Sequence, residues 1–187
     1  MTEWPVREIT DPRMLRAMAH PLRIRLLNAL ALHGPATATQ LADRLDDSAA
    51  NCSWHLRQLA KFGLIEDLPG PGRNRPWRWI PTGNRWQPTS PEMQETGALV
   101  AATLIDYEFA QLQAWEAHES EEPEQWREAA FTNQSMTWLT AEELTEINKT
   151  VMQLLLKNMD RLADPATRPR GSRPVRFIAW GIPCDLS

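Results

Sequence analysis

The sequence predicts a mainly α-helical chain with a small β component, arranged as two parts of different character. Three observations carry this reading. Apolar residues recur at helical spacing in several short segments of the first ninety residues, each bracketed by cap residues. A stretch with three prolines and Gly83, from Pro81 to Pro91, then interrupts the pattern. The charge is also unevenly divided: residues 1–90 carry a formal +4, residues 91–163 carry −10 and residues 164–187 carry +2, within a total of −4 over 187 residues. The expected division is residues 1–82 as one domain, 83–91 as a linker and 92–187 as a second domain.

Each element of the first part has a local cause. Asp11 before Pro12 is an N-cap followed by a proline at the first helical position, and Met14 to Ala19 continue a short helix. His20-Pro21 breaks it, because the residue before a proline is pushed out of the α region. Pro21 then opens a second helix along which Leu22, Leu26 and Leu30 recur every four residues, ended by Gly34-Pro35. Thr37 with Gln40 reads as a capping box for a short third helix with Leu41, Ala42 and Leu45 facing inward. Asp46-Asp47 end it, and Ser48 caps a fourth helix that runs to Phe62 and closes at Gly63. Leu64 to Leu68 read as a strand, Pro69 to Gly72 as a turn and Trp77 to Ile80 as a returning strand. Two short helices joined by a tight turn and followed by a β-hairpin describe a winged helix-turn-helix.

The fourth helix has two faces. Cys52, Leu56 and Leu59 follow i, i+4, i+7 spacing and face the core, with His55 at the edge making a packing hydrogen bond rather than serving as a ligand. The opposite face carries Asn51, Ser53, Trp54, Arg57 and Lys61. No carboxylate lies between Ser48 and Gly63, so this face suits the major groove of double-stranded DNA. The hairpin tip, Gly72-Arg73-Asn74-Arg75-Pro76, places two guanidinium groups where a wing meets phosphates or the minor groove. The candidate DNA-binding residues are Thr37, Ser48, Asn51, Ser53, Trp54, Arg57, Arg73, Asn74 and Arg75. The acidic total, taken whole, argues against a nucleic-acid partner; its division by region reverses that argument.

Three sequence runs, in register, resemble a known family. "DPRMLRAMAHPLRIRLLNAL" looks like the opening of ArsR-type winged helix regulators, whose second helix follows a His-Pro-x-Arg turn. "SAANCSWHLRQLAKFGLIE" is similar to that family's recognition helix, and "GRNRPWRWI" to its wing. The match covers residues 11–82. It implies a dimeric transcriptional regulator, usually a repressor, reading a pseudo-palindromic operator. The chain departs from the pattern at Ala49 and Ala50, small where many relatives are polar, which thins direct base readout. Cys52 replaces an apolar residue and reads as a small buried side chain.

In the second part, residues 92–117 read as a long helix. Its apolar band (Ala98, Ala101, Ala102, Ile105, Phe109 and Leu112, widened by Val100, Leu104, Tyr107 and Trp115) is broader than one core face needs, so a second packing partner is expected. In the resembled family a terminal helix supplies the homodimer interface. Residues 131–139 alternate as a strand, Thr140 with Glu143 caps another helix, and Val175 to Trp180 reads as a second strand. This gives a C-terminal helical or α+β domain for dimerisation and ligand sensing. Phe109, Trp115, Met136, Trp138, Met152, Phe177 and Trp180, together with Trp126, suit either a pocket for a small apolar or aromatic effector or simply a core.

Other function classes find little support. The two cysteines, Cys52 and Cys184, belong to no CxxC pair, which speaks against a disulfide scaffold or structural zinc and for a reducing, cytoplasmic compartment. The N-terminus has no apolar signal core, and the longest apolar patch, Ala98 to Ile105, falls far short of the ~20 residues of a membrane span. The third helix lacks the thiolates some ArsR-type proteins use to bind metal. Asp106, Glu108, His118 and Glu121 only faintly echo the oxygen- and nitrogen-rich site of others, so no metal or other cofactor is expected. No phosphate loop, GxSxG or HExxH marks an enzyme. The alternatives are a winged helix that binds protein and a metal-responsive ArsR-type repressor.

Overall fold

The computed structural model describes residues 5–70 and 75–184. The expected mainly helical architecture forms, with a winged helix-turn-helix followed by a helical C-terminal region. Helix α1 (Pro12–Met18) starts on Asp11, whose side chain accepts from the Arg13 N–H. Helix α2 (Pro21–His33) is capped by His20 and stops at Gly34, whose φ of 81° favours a residue without Cβ. Helix α3 (Ala38–Leu45) carries both halves of the Thr37/Gln40 capping box and ends on Asp46 in the left-handed region at φ 52°. Helix α4 (Ala49–Lys61) begins on Ser48, whose hydroxyl accepts from the Asn51 N–H.

These helices and the wing enclose the core. Leu15, Leu26, Leu41, Cys52, Leu56, Leu59 and Ile65 are all fully buried in it. The wing is the antiparallel pair β2 (Ile65–Asp67) and β3 (Trp77–Trp79), with Ile65 opposite Trp79. Ala36 exchanges backbone hydrogen bonds with Trp77, which ties the start of the helix-turn-helix to the wing.

One sheet was not foreseen. Strand β1 (Val6–Ile9) pairs in parallel with β4 (Gly83–Trp86), so four residues of the expected linker are a strand. Trp86 then lies on helix α5 (Pro91–His118) at Gly97, where a Cβ would stand 2.8 Å from its indole Nε1. The first turns of α5 pack on α1 and α2 through Met93, Thr96, Gly97 and Val100, all buried.

Beyond Val100 no described residue is buried. A short 3-10 turn and α6 (Glu124–Ala129) follow α5. Helix α7 (Ala141–Leu156) forms from the expected Thr140/Glu143 capping box, and α8 (Asp160–Ala163) ends the helical part. The two strands expected at 131–139 and 175–180 do not form: both segments are exposed, irregular backbone. Strands need a hydrogen-bonding neighbour, and among the described residues neither segment has one. The C-terminal region is therefore helical rather than α+β.

Candidate nucleic-acid interface

Helix α4 is anchored on one side and free on the other. Cys52, His55, Leu56 and Leu59 are buried, whereas Asn51, Trp54, Arg57 and Lys61 are exposed and Ser53 is half-buried. Trp54, Arg57 and Lys61, spaced i, i+3, i+7, form a stripe along the outer face. The Arg57 guanidinium donates to Ser53 Oγ at 3.0 Å. Among the described residues neither Arg57 nor Lys61 is in an ion pair, so both charges remain available to phosphates or guanine edges.

The remaining predicted residues have other local duties. Thr37 and Ser48 spend their hydroxyls capping α3 and α4. Asn51 donates through Nδ2 to Asp47 Oδ1 at 2.9 Å, which fixes the amide at the leading end of α4. Arg75 is in an ion pair with Asp67 at 2.9 Å, and Arg78 beside it is paired with Glu66 at 2.7 Å. The wing is thus partly self-neutralised. Arg73 and Asn74 lie outside the described residues.

Three positioning residues escaped the sequence reading. Asp47 accepts from both Asn51 and the Ser48 N–H, and these bonds, Asn51 first, hold its carboxyl below the usual range. Arg7 on β1 reaches across to the other end of α4, donating to the carbonyls of Phe62 (3.2 Å) and Gly63 (2.9 Å). A guanidinium there satisfies carbonyls that the helix leaves open and complements its dipole. His20 is the third. Its ring stands 4.3 Å from that of His55, and Trp54 meets His55 edge-on at 4.7 Å. His55 is buried, but the packing hydrogen bond expected of it does not form: among the described residues its Nδ1 has no partner. Burial, more than the neighbouring positive charge of Arg23, lowers both imidazoles below their ordinary 6.5 and so favours their neutral forms. The Asp-Asp-Ser run marked Asp47 in the sequence; nothing local marked Arg7.

The aromatic residues of the second part do not enclose a cavity in the single chain. Phe109, Met136, Trp138, Met152, Phe177 and Trp180 are exposed, and Trp115 is half-buried. Phe109 approaches Trp180 at 6.4 Å between rings, and Phe131 approaches Phe177 at 6.3 Å. Glu108 is bound by Arg176, and the His118 ring contacts the Ala114 carbonyl oxygen at 2.9 Å. Among the described residues no three His, Cys, Asp or Glu side chains gather as a metal site, and no helix is long and apolar enough to cross a membrane.

Comparison with known proteins agrees with the first half of the chain. Residues 18–67, from the end of α1 to the end of β2, match the family described as "Helix-turn-helix domain". No curated protein matches significantly. Among solved structures, the chain is similar to a transcriptional regulator from Thermotoga maritima, at 10% identity over 78% of this chain and 80% of that one, with a TM-score of 0.31. It is also similar to a MarR family transcription regulator, at 20% identity over 81% and 82% of the two chains, with a TM-score of 0.33. Scores this low leave the argument with the helix-turn-helix match and the geometry of α3, α4 and the wing. These define a winged helix-turn-helix domain.

Proposed function

We propose that the chain is an ArsR-type repressor that binds a pseudo-palindromic operator as a homodimer. In this reading α4 of each copy enters the major groove, the wings hold the flanking backbone and the half-sites lie about one helical turn (~34 Å) apart. The observation that carries it is the outer face of α4, where Trp54, Arg57 and Lys61 stand exposed and free of carboxylates on a helix whose other face is locked in the core. Residues 1–82 form the reader, and the second half, beginning with α5, joins the copies. Support for the joining role is the second apolar face of α5. Ala98, Ala102, Ile105 and Phe109 lie on one exposed stripe, nearly opposite the buried Met93, Thr96, Gly97 and Val100. Effector control of operator binding would use a pocket completed by the second copy, since among the described residues these aromatics stand mostly exposed in the single chain.

Selection of bound sequences from random duplexes tests the reading directly. The expected result is an inverted repeat bound with a steep negative dependence on salt, because bound phosphates release counterions. Equal binding to all sequences, or no binding to duplex DNA at low salt, would overturn it. A genome-wide binding map read beside transcript levels separates repression from activation.

A further inference from the structure

Asn51 stands where a side chain can meet a base, and its amide is not free to turn. It lies in the first turn of α4, the part of a recognition helix that reaches base edges, and it is exposed. Trp54, also exposed, follows one turn later on the same side. Ala49 and Ala50, exposed between Ser48 and Asn51, end at Cβ and offer a base neither donor nor acceptor. The Ser48 hydroxyl is engaged as the cap of α4. Direct readout at the leading end of the helix therefore falls to the Asn51 amide.

The orientation of that amide follows from its partner. Asp47 Oδ1 accepts from the Ser48 N–H at 2.7 Å and from Asn51 Nδ2 at 2.9 Å. A carboxylate accepts and does not donate, so the amide atom turned toward it is nitrogen and not oxygen. Asp47 is itself fixed from behind. Its N–H donates to the Ala42 carbonyl at 3.0 Å, and Asp46 before it stands in the left-handed region. Helix α4 does not need the Asp47–Asn51 bond for its start, because the Ser48 hydroxyl already accepts from the Asn51 N–H at 3.1 Å. What the bond adds is direction. It engages one hydrogen of Nδ2 and leaves the other, together with Oδ1, which accepts from no group among the described residues.

We infer that Asn51 reads an adenine in the major groove of each half-site, and that Asp47 is the positioning residue that aims it. A donor beside an acceptor is the complement of the adenine edge: Oδ1 accepts from the N6 amino group and the remaining Nδ2 hydrogen goes to N7. Guanine offers two acceptors there, cytosine a donor alone, and thymine an acceptor and a methyl group. This rests on the DNA-binding reading above and deepens it by naming a base. Asp47 acts in two opposed ways. Its negative charge at the leading end of α4 opposes every duplex alike, whereas the aim it gives Asn51 favours one base pair.

The test compares full-chain variants on duplex DNA. Selection with the parent is expected to return an A·T pair at one fixed place in each half-site. Asn51→Ala is expected to return the same inverted repeat with that place relaxed, its preference for adenine lower by roughly five- to a hundredfold. Replacing that adenine by 7-deazaadenine removes N7 alone, and is expected to weaken the parent by about two- to tenfold and Asn51→Ala not at all. Asp47→Ala is expected to bind all duplexes more tightly yet to lose roughly threefold or more of the adenine preference. Asp47→Asn, whose amide oxygen still accepts from Ser48 and Asn51, is expected to gain the same affinity and keep the preference. A merely structural role for Asp47 would not produce that split at a single base pair. Base preferences indifferent to Asn51→Ala, or an equal 7-deazaadenine effect in parent and variant, would overturn the inference and leave the DNA-binding reading standing. Loss of the preference in Asn51→Ala but not in Asp47→Ala would overturn the role of Asp47. A parent without any sequence preference would overturn the DNA-binding reading, and this inference with it.

Discussion

Thr37 with Gln40 and Thr140 with Glu143 close the same capping box at the start of α3 and α7, and there the likeness of the two halves ends. Leu41, four residues past the α3 cap, is fully buried; Leu144, at the same place in α7, is only half-buried, and Ile147 one turn on is about half exposed. Up to Val100 the chain packs its large aliphatic residues around one core. Beyond it, helices of equal local quality leave theirs in solvent. A capping box secures a helix end, but it contributes only about 1 kcal/mol and does not supply a core. The first half therefore encloses the one core formed by the described residues, and the helices of the second half add none of their own to it.

The contrast can be attacked at four points, from the largest effect to the smallest. Leu26→Ala empties a fully buried site and is expected to cost about 2–5 kcal/mol in denaturant unfolding. Leu154→Ala, measured in the dissociated chain, should cost far less; equal losses would mean that the halves share one core. Arg57→Ala should weaken specific operator binding by about 1–3 kcal/mol while leaving unfolding unchanged. A variant that footprints like the parent with equal affinity would remove α4 from the groove. Thr37→Ala should cost about 1 kcal/mol of winged-helix stability, whereas Thr140→Ala should leave that transition in place, a difference that calorimetry resolves. The smallest effect is a pH dependence confined to the first half. Burial lowers His20 and His55 below the ordinary 6.5, so the unfolded chain binds protons more readily. The stability they contribute is present above about pH 6.5 and is lost as pH falls below it. His55→Gln should flatten that slope; an unchanged slope would place its origin elsewhere.

Much of the first half was legible because its signals are local. Asp11-Pro12, His20-Pro21, Gly34, Thr37 with Gln40, and Ser48 each mark a boundary within a turn of itself, and the i, i+4, i+7 spacing of Cys52, Leu56 and Leu59 revealed which face of α4 was free. Strand β1 was not legible, since Val6 to Ile9 form a strand only by pairing with Gly83 to Trp86, across most of the domain. The Pro-rich surroundings of Gly83 made that partner look like a linker. For the same reason Arg75 could be read as a free wing charge, because Asp67 faces it only once the hairpin closes. The failed strands at 131–139 and 175–180 show the reverse case, in which residues of strand-forming type find no pairing neighbour among the described residues.

The guanidinium of Arg7 has a consequence for how the reader is set in place. Through it the segment before α1 grips the trailing end of α4, while the same strand lies alongside β4, which leads into α5. The seating of α4 and the origin of α5 thus share one short lever in β1. A tag, a clipped end or a bound partner that displaced Val6 to Ile9 would turn both at once, altering operator choice without touching a residue that meets DNA.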